Sequence, residues 1–551
     1  MEPYQQLLTS IALPLVGAVA CLALSKQSRN VVRRVALAFS IATLAMAGLV
    51  VFGFTSDPSK QGEFTSSFSW IDGGSVSRIA LDVRFHVGLD GLGLWLYGLS
   101  ALLVVSCVLV SWESISERAG LFYAMLLLLE CGCLGVFTAR DILLFYVFFE
   151  FTLIPLFFLI GIWGSEDRLY AASKFFLFTL AGSLLTFLGL LAVVLWAHQH
   201  PLPGAPSNAI SFSIPEITKA IDANPLPFEW QIGVFLALFA GFAIKVPLFP
   251  FHSWLPLAHV QAPVAGSVLL AGVLLKMGTY GFLRFSLAWL PDAAAYFMPA
   301  MIWLSVIGII YGAFVALAQT DIKRLIAYSS VSHLGFVMLG LFALTPVGVS
   351  GATLQMINHG LSTGGLFLLV GMIYERFHSR QISDFGGLAA KYPVLSAMTM
   401  VFTFSSIGLP GLNGFAGEFL ILLGAFQRGW TYTGDTTVLI ACVVAVTGVI
   451  FGAWYMLWLI QRVFFGGFKV PGHEHDHDSD DHSATPITDL NGRELAALLP
   501  LVVFCLWIGL APQRFTAPMD ATLRSITAKS QAKLDASSSS ITVARVSTES
   551  P

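Results

Sequence analysis

Ionisable residues stand at regular intervals inside stretches that are otherwise apolar: Glu130, Glu150, Lys245, Lys276, His333, His359 and Glu418, with Lys174 near the start of another such stretch. A charge at the centre of a bilayer costs about 2.5–3.5 kcal/mol on insertion scales, so each needs a partner, a water cavity or a function. One such residue alone reads equally well as a satisfied structural polar group. A row across successive segments does not, because neutral packing would cost far less. The chemistry these types allow is proton transfer. Burial favours the neutral amine of a lysine, and a nearby carboxylate favours the ammonium. An ion pair at 4 Å is worth about 4 kcal/mol at an effective dielectric of 20, and moving one charge against 100 mV takes about 2.3 kcal/mol. Making and breaking a Glu–Lys pair therefore drives one proton step. Histidines suit intermediate positions, because they titrate near neutral pH.

The elements that position this row are membrane spans. The chain has 551 residues, 56% hydrophobic and 11% charged, with a net charge of -3. Soluble domains carry about 25% charged residues, so a water-soluble enzyme is excluded. The absence of a dense basic block excludes a nucleic-acid binder. Crossing about 30 Å of hydrocarbon takes roughly 20 apolar residues. Runs of that length occur at 4–24, 34–54, 90–111, 120–138, 142–163, 171–197, 230–251, 260–285, 296–318, 323–343, 349–374, 393–426, 436–463 and 495–511. Backbone groups must be satisfied within lipid, so these about fourteen runs are read as helices. The first is followed by Lys26, Arg29, Arg33 and Arg34 and is read as retained, not cleaved. Loops after odd-numbered spans hold about twice the Lys/Arg of the others, which places both termini on the outer side.

Two spans are interrupted. The seventh runs Lys245-Val246-Pro247-Leu248-Phe249-Pro250-Phe251-His252, where two prolines remove backbone donors. The twelfth runs Gly408-Leu409-Pro410-Gly411-Leu412-Asn413-Gly414, just before Glu418. They are five spans apart, the pattern of a transporter built from repeats, spans four to eight and nine to thirteen. Cys21, Cys107, Cys131, Cys133, Cys442 and Cys505 lie in apolar runs without CxxC spacing and read as small core residues. No iron–sulfur, haem, Walker or GxGxxG motif is present. The His/Asp-rich segment from His473 to His482 reads as a solvated loop, and 516–551 as a polar tail without fixed structure.

Several long stretches carry a family resemblance. They are DILLFYVFFEFTLIP (Asp141 to Pro155), KVPLFPFHSWLPLAHVQAPVAGSVLLAGVLLK (Lys245 to Lys276), DIKRLIAYSSVSHLGF (Asp321 to Phe336) and LPGLNGFAGEF (Leu409 to Phe419). They resemble the antiporter-like membrane subunits of proton-pumping NADH:quinone oxidoreductase, respiratory complex I, whose relatives include Mrp-type sodium/proton antiporter subunits. Within that family the M-type branch, counterpart of mitochondrial chain 4, is the nearest in pattern, because Glu418 stands where L, N and Mrp relatives usually carry lysine. Leu257 departs from the aspartate of many relatives. The resemblance implies that Glu150 and Lys245 form the pair of a first half-channel. Lys276, His333 and His359 then continue along the mid-plane, and Glu418 ends the second half-channel. Lys174 is expected to modulate the first pair. Glu130, added from its depth alone, and His252 and His259, which flank the broken seventh span, are further candidates.

The expected protein is thus an all-α polytopic membrane protein of about fourteen transmembrane helices with two inverted five-helix repeats. Residues 1–111 hold the first three spans, 112–285 and 286–466 the two halves, 467–515 the His/Asp-rich loop and last span, and 516–551 the tail. The resemblance implies no cofactor in this chain, with NADH, FMN, iron–sulfur clusters and quinone in partner subunits. The implied partners are L- and N-type chains and membrane lipids. A bacterial plasma membrane is favoured over a mitochondrial one, since no Arg-rich presequence precedes the first span. The rival reading is a Mrp-type cation/proton antiporter subunit, and a third is a structural spacer.

Overall fold

The computed structural model describes residues 1–72, 80–202, 209–433, 436–471 and 488–548. The segment from His473 to His482 lies outside them. Among the described residues, thirteen helices are long and apolar enough to cross a membrane. In chain order the first six are Pro3–Ala23, Arg29–Ser56, Leu94–Ser114, Ala119–Thr138, Ile142–Trp163 and Arg168–Gln199. Phe228–Lys245, Val264–Leu287, Pro291–Leu317, Ile322–Phe342 and Pro346–Phe377 form the seventh to eleventh. Thr436–Phe464 and Gly492–Leu510 are the last two. The remaining expected span, 393–426, is two helices, Pro393–Ser406 and Asn413–Gln427. Counted with this divided twelfth, the fold is a polytopic helical membrane protein of the expected kind.

The starts of these helices follow from their sequences. Asp141 caps the fifth span by accepting from Leu143 N and Leu144 N, and Asp321 caps the tenth by accepting from Arg324 N. Proline occupies the first helical position of the eleventh span at Pro346 and of the twelfth at Pro393, where no backbone donor is lost. The seventh span corrects the expected boundaries. It stops at Lys245 and resumes as a second half, Trp254–Gln261, before the eighth begins at Val264. Pro247 and Pro250 spread the break over eight residues, and Pro263 imposes the new start.

The two halves repeat a local tie. Ile142 N donates to Phe212 O while Ile214 N donates to Arg140 O; Ile322 N donates to Arg380 O while Ile382 N donates to Thr320 O. In each half the entry to one span is thus laced to the segment after the next span. An odd number of crossings separates the two ties, so they lie on opposite faces. The eighth and eleventh spans, buried along the whole of their apolar stretches, form the centre of the molecule.

Two elements were not expected. Thr65–Asp72 and Ala80–Gly88 pair antiparallel, and Ala209–Ser211 adds a third strand in parallel. The alternation of Leu81, Val83, Phe85 and Val87 with Asp82, Arg84 and His86 is a two-residue period, and Phe68 stacks on its cross-strand partner Phe85 at 4.9 Å. The tail, expected to lack fixed structure, is the helix Gln513–Thr548. Its buried residues Phe515, Met519, Leu523, Ile526, Ser530 and Leu534 recur every three or four positions. That stripe packs against the ninth and eleventh spans.

Candidate functional site

The row of ionisable residues divides into a first pair and a continuous second group. Glu150 lies in the last turn of Ile142–Phe151, just before the fifth span bends at Thr152. Pro155 has no N–H to offer the carbonyl of Phe151, which accounts for the bend. Lys245 is the final residue of its helix and is buried. The two are electrostatic neighbours, yet no ion contact joins them. Lys245 Nζ has no hydrogen-bond partner and lies 4.7 Å from the centroid of the Phe149 ring. The expected Glu–Lys pair is therefore present as an open pair, with an aromatic face where the carboxylate would be.

Lys174 is half-buried on the sixth span, and no ion pair joins it to another of the described residues. Glu130 is fully buried in the fourth, and neither of its oxygens has a partner. Its electrostatic neighbours are Tyr97, Cys107, Cys131 and Cys133, and Cys133 is also a neighbour of Lys245. All six cysteines are free and buried, as their setting implied.

The second group is brought together by the eighth, tenth, eleventh and twelfth spans. Lys276 sits between two wider-turn segments, Leu270–Leu274 and Phe282–Leu287, whose backbone bonds skip one residue further than in an α-helix. Its ammonium donates to Ala271 O, five residues back, and lies 2.7 Å from His359 Nδ1. The close approach is possible because Gly272 and Gly360 meet back to back: a Cβ on Gly360 would lie 2.8 Å from Gly272 O. The rings of His359 and His333 have centroids 5.6 Å apart without a hydrogen bond between them. His333 Nδ1 lies 3.1 Å from Glu418 Oε1, and Nε2 lies 3.1 Å from Ser406 Oγ.

Glu418 stands in the second half of the broken twelfth span. Gly408 and Gly411 adopt φ of 73° and 94° in the break, conformations that favour glycine. A cavity of about 10 Å³ borders His333, Ser406, Glu418 and Tyr455, the room one water needs.

The two further histidines are also buried. His252, in the break of the seventh span, packs on Tyr311 with centroids 5.0 Å apart. His259 stacks on Phe367 at 4.7 Å, and neither of its ring nitrogens has a partner. It is an electrostatic neighbour of Lys323 and Lys276. Lys323 in turn borders a cavity of about 190 Å³ shared with Ser114, Trp163, Glu375 and Arg380, at the ends of the third, fifth and eleventh spans.

Sequence reasoning missed the uncharged polar residues around Glu418. Gln355 Nε2 donates to Glu418 Oε1 at 3.2 Å, and Asn358 Nδ2 donates to Gln355 Oε1 at 3.2 Å and to Asn413 O at 2.7 Å. Their signal was an amide four residues, and another one residue, before His359 on a fully buried helix. On the opposite side from the cavity at Lys323, Arg284 donates to both oxygens of Asp90 at 2.7 and 2.8 Å, and Arg140 pairs with the same carboxylate at 3.1 Å. Burial opposes ionisation of Asp90, but Arg140 and Arg284 outweigh it and hold the carboxyl well below the usual carboxylate range. No group of three or more His, Cys, Asp or Glu placed to hold a metal occurs among the described residues.

Residues 139–447 match the family model described as NADH:quinone oxidoreductase/Mrp antiporter, TM. The NADH-quinone oxidoreductase subunit M of Pseudomonas aeruginosa is 40% identical over 516 residues, covering 91% of this chain and 94% of the relative. The NADH-ubiquinone oxidoreductase chain 4 of Chondrus crispus is 39% identical over 510 residues, covering 92% and 94%. Among solved structures, a chain of respiratory complex I from Thermus thermophilus with bound NADH superposes with a TM-score of 0.80 and 31% identity, over 95% of this chain and 99% of that one. A chain of the archaeal membrane-bound sulfane sulfur reductase shares the fold, with a TM-score of 0.74 at 24% identity over 92% and 76%.

Proposed function

The chain belongs to the NADH:quinone oxidoreductase/Mrp antiporter transmembrane family, and from that premise we propose that it is the M-type, proton-translocating membrane subunit of a respiratory complex I. Relatives that match 91% of its length are named as subunits of NADH-quinone oxidoreductase. NADH, FMN, iron–sulfur clusters and quinone belong to partner subunits, and L- and N-type chains flank this one, with lipids in the grooves between. The reading places the protein in a bacterial plasma membrane with both termini outside. Residues 112–285 and 286–466 are its two working halves.

The observation that carries the mechanism is the row Lys276–His359–His333–Glu418, buried through three spans and half of a broken fourth. Lys276 offers a proton to His359 Nδ1 across 2.7 Å. A water or a ring movement bridges His359 to His333, and His333 exchanges with Glu418, whose cavity has room for the water that leads outward. At the other end, redox energy released in partner subunits closes or opens the Glu150–Lys245 pair. Closing it keeps the proton on Lys245; opening it leaves the amine against Phe149, free to pass its proton onward. The cavity at Lys323 and the unpartnered His259 beyond it support entry from the cytoplasmic side. Glu130 and Lys174 are outlying members, whose part is to bias this charge pattern.

Glu150→Gln tests this reading. In sealed membranes containing the assembled complex, NADH-driven proton uptake and NADH:quinone activity both fall, and the wild type pumps without sodium. Intact pumping in the variant would leave the spacer reading; a sodium requirement in the wild type would leave the antiporter reading.

A further inference from the structure

Glu418 is held from two sides at one atom. His333 Nδ1 and Gln355 Nε2 lie 3.1 and 3.2 Å from the same oxygen, Oε1. Gln355 comes from the eleventh span, one turn before His359, so a single helix carries one proton carrier and the amide that touches the next acid. The amide is itself fixed. Its Oε1 accepts from Asn358 Nδ2, and the Asn358 backbone O accepts from Asn413 Nδ2 at 3.3 Å while Asn413 O accepts from Asn358 Nδ2. Ser405 Oγ, at the end of the first half-helix, donates to Asn413 Oδ1 at 2.5 Å. Both sides of the break in the twelfth span are thus tied to the eleventh by one chain of hydrogen bonds.

The sequence leaves room for this chain at one residue. A Cβ on Gly417 would lie 2.2 Å from Gln355 Oε1 and 2.8 Å from Asn358 Nδ2. Glycine next to Glu418 is what lets the two amides lie across the half-helix. All members are buried, Gln355 at 2% and Asn413 at 0% exposure. In that setting a hydrogen bond to a charged oxygen is strong and a misplaced one costly.

Resting on the proton route proposed above, we propose that Gln355 is a positioning residue. Its N–H sets the orientation of the Glu418 carboxylate toward His333, and the Asn358–Asn413 pair transmits the state of the broken helix to that amide. Gln355 transfers no proton itself. It decides whether the His333–Glu418 step has its geometry.

The test compares Gln355→Leu, Gly417→Ala and Glu418→Gln in the assembled complex, reading NADH-driven proton uptake and the infrared carboxyl band that Glu418→Gln removes. The expected result is a shifted Glu418 band and about a tenfold loss of proton uptake in Gln355→Leu. Gly417→Ala displaces the amide without deleting a polar group, and it should give the same shift; it also serves if Gln355→Leu fails to assemble. An unmoved band in either assembled variant overturns the positioning role. Full pumping in Glu418→Gln overturns instead the route on which it rests.

Discussion

Lys276 Nζ and His359 Nδ1 lie 2.7 Å apart on the two most deeply buried spans, and the spacing depends on two glycines in contact behind them. A local widening of the eighth span leaves Ala271 O available to the ammonium as well. Its charge therefore has one fixed acceptor and one that can carry a proton away.

Gly360→Ala tests the packing beneath that contact. The added Cβ meets Leu99 Cδ2 at 2.6 Å and Gly272 O at 2.8 Å, so the two spans must part. Overpacking of this kind costs about 1–3 kcal/mol. The complex should still assemble, while proton uptake falls about tenfold because Lys276 is moved from His359. Gly308→Ala, where a Cβ meets nothing within 4 Å, serves as the control and should change neither.

Lys245→Met separates function from stability. The ammonium has no hydrogen bond and lies against the Phe149 ring, with Glu150 its electrostatic neighbour. An apolar side chain of similar length replaces a buried charge that holds no hydrogen bond, which is neutral or stabilising. The expected outcome is an unchanged or raised Tm for the isolated complex with proton pumping lost. A clear fall in Tm would show that Lys245 has a structural partner.

The sequence made the row of charges legible because in a membrane each charge is an exception that needs a cause. Glu150, Lys245, Lys276, His333, His359 and Glu418 all stood out against apolar neighbours. It could not show that Phe149 stands at the lysine, since a ring position depends on how the fifth and seventh spans meet. Gln355 and Asn358 carry no charge and look unremarkable beside serines and threonines of the same helix. The tail was misjudged for a different reason. Its mean composition is polar, and the run from Ser537 to Ser540 masks the period of Phe515, Met519, Leu523 and Ile526.

That stripe predicts what holds the C-terminal helix. Lys529 pairs with Asp222, and Lys533 with Asp292, but all four side chains are substantially exposed, and such pairs contribute about 0–1 kcal/mol. Burial of Phe515 and Met519 contributes more, since truncation to alanine costs about 2–5 kcal/mol. Lys533→Ala should leave protease resistance of the tail unchanged, whereas Phe515→Ala should release it to limited proteolysis.

Asp90→Asn breaks the cluster with Arg284 and Arg140. Leaving two guanidinium groups without their carboxylate costs about 3–5 kcal/mol, so the assembled complex should show a lower Tm. The pH sign follows from the direction of the shift. The folded carboxyl is held below its ordinary range, so its contribution is complete above that range and is lost as pH falls toward its folded value. Wild type and variant should therefore differ by a constant Tm offset from pH 6 to 8. A difference that grows across that interval would contradict the assignment.

The most direct measurement is NADH-driven proton uptake in sealed membranes for Lys276→Met, with the amount of intact complex determined in the same preparation. In the proposed route Lys276 is the residue through which the first pair and the His359–His333–Glu418 group communicate. Normal assembly is expected, with less proton uptake per NADH oxidised and coupled turnover slowed at least tenfold. Wild-type proton uptake at wild-type turnover in the assembled variant would contradict it.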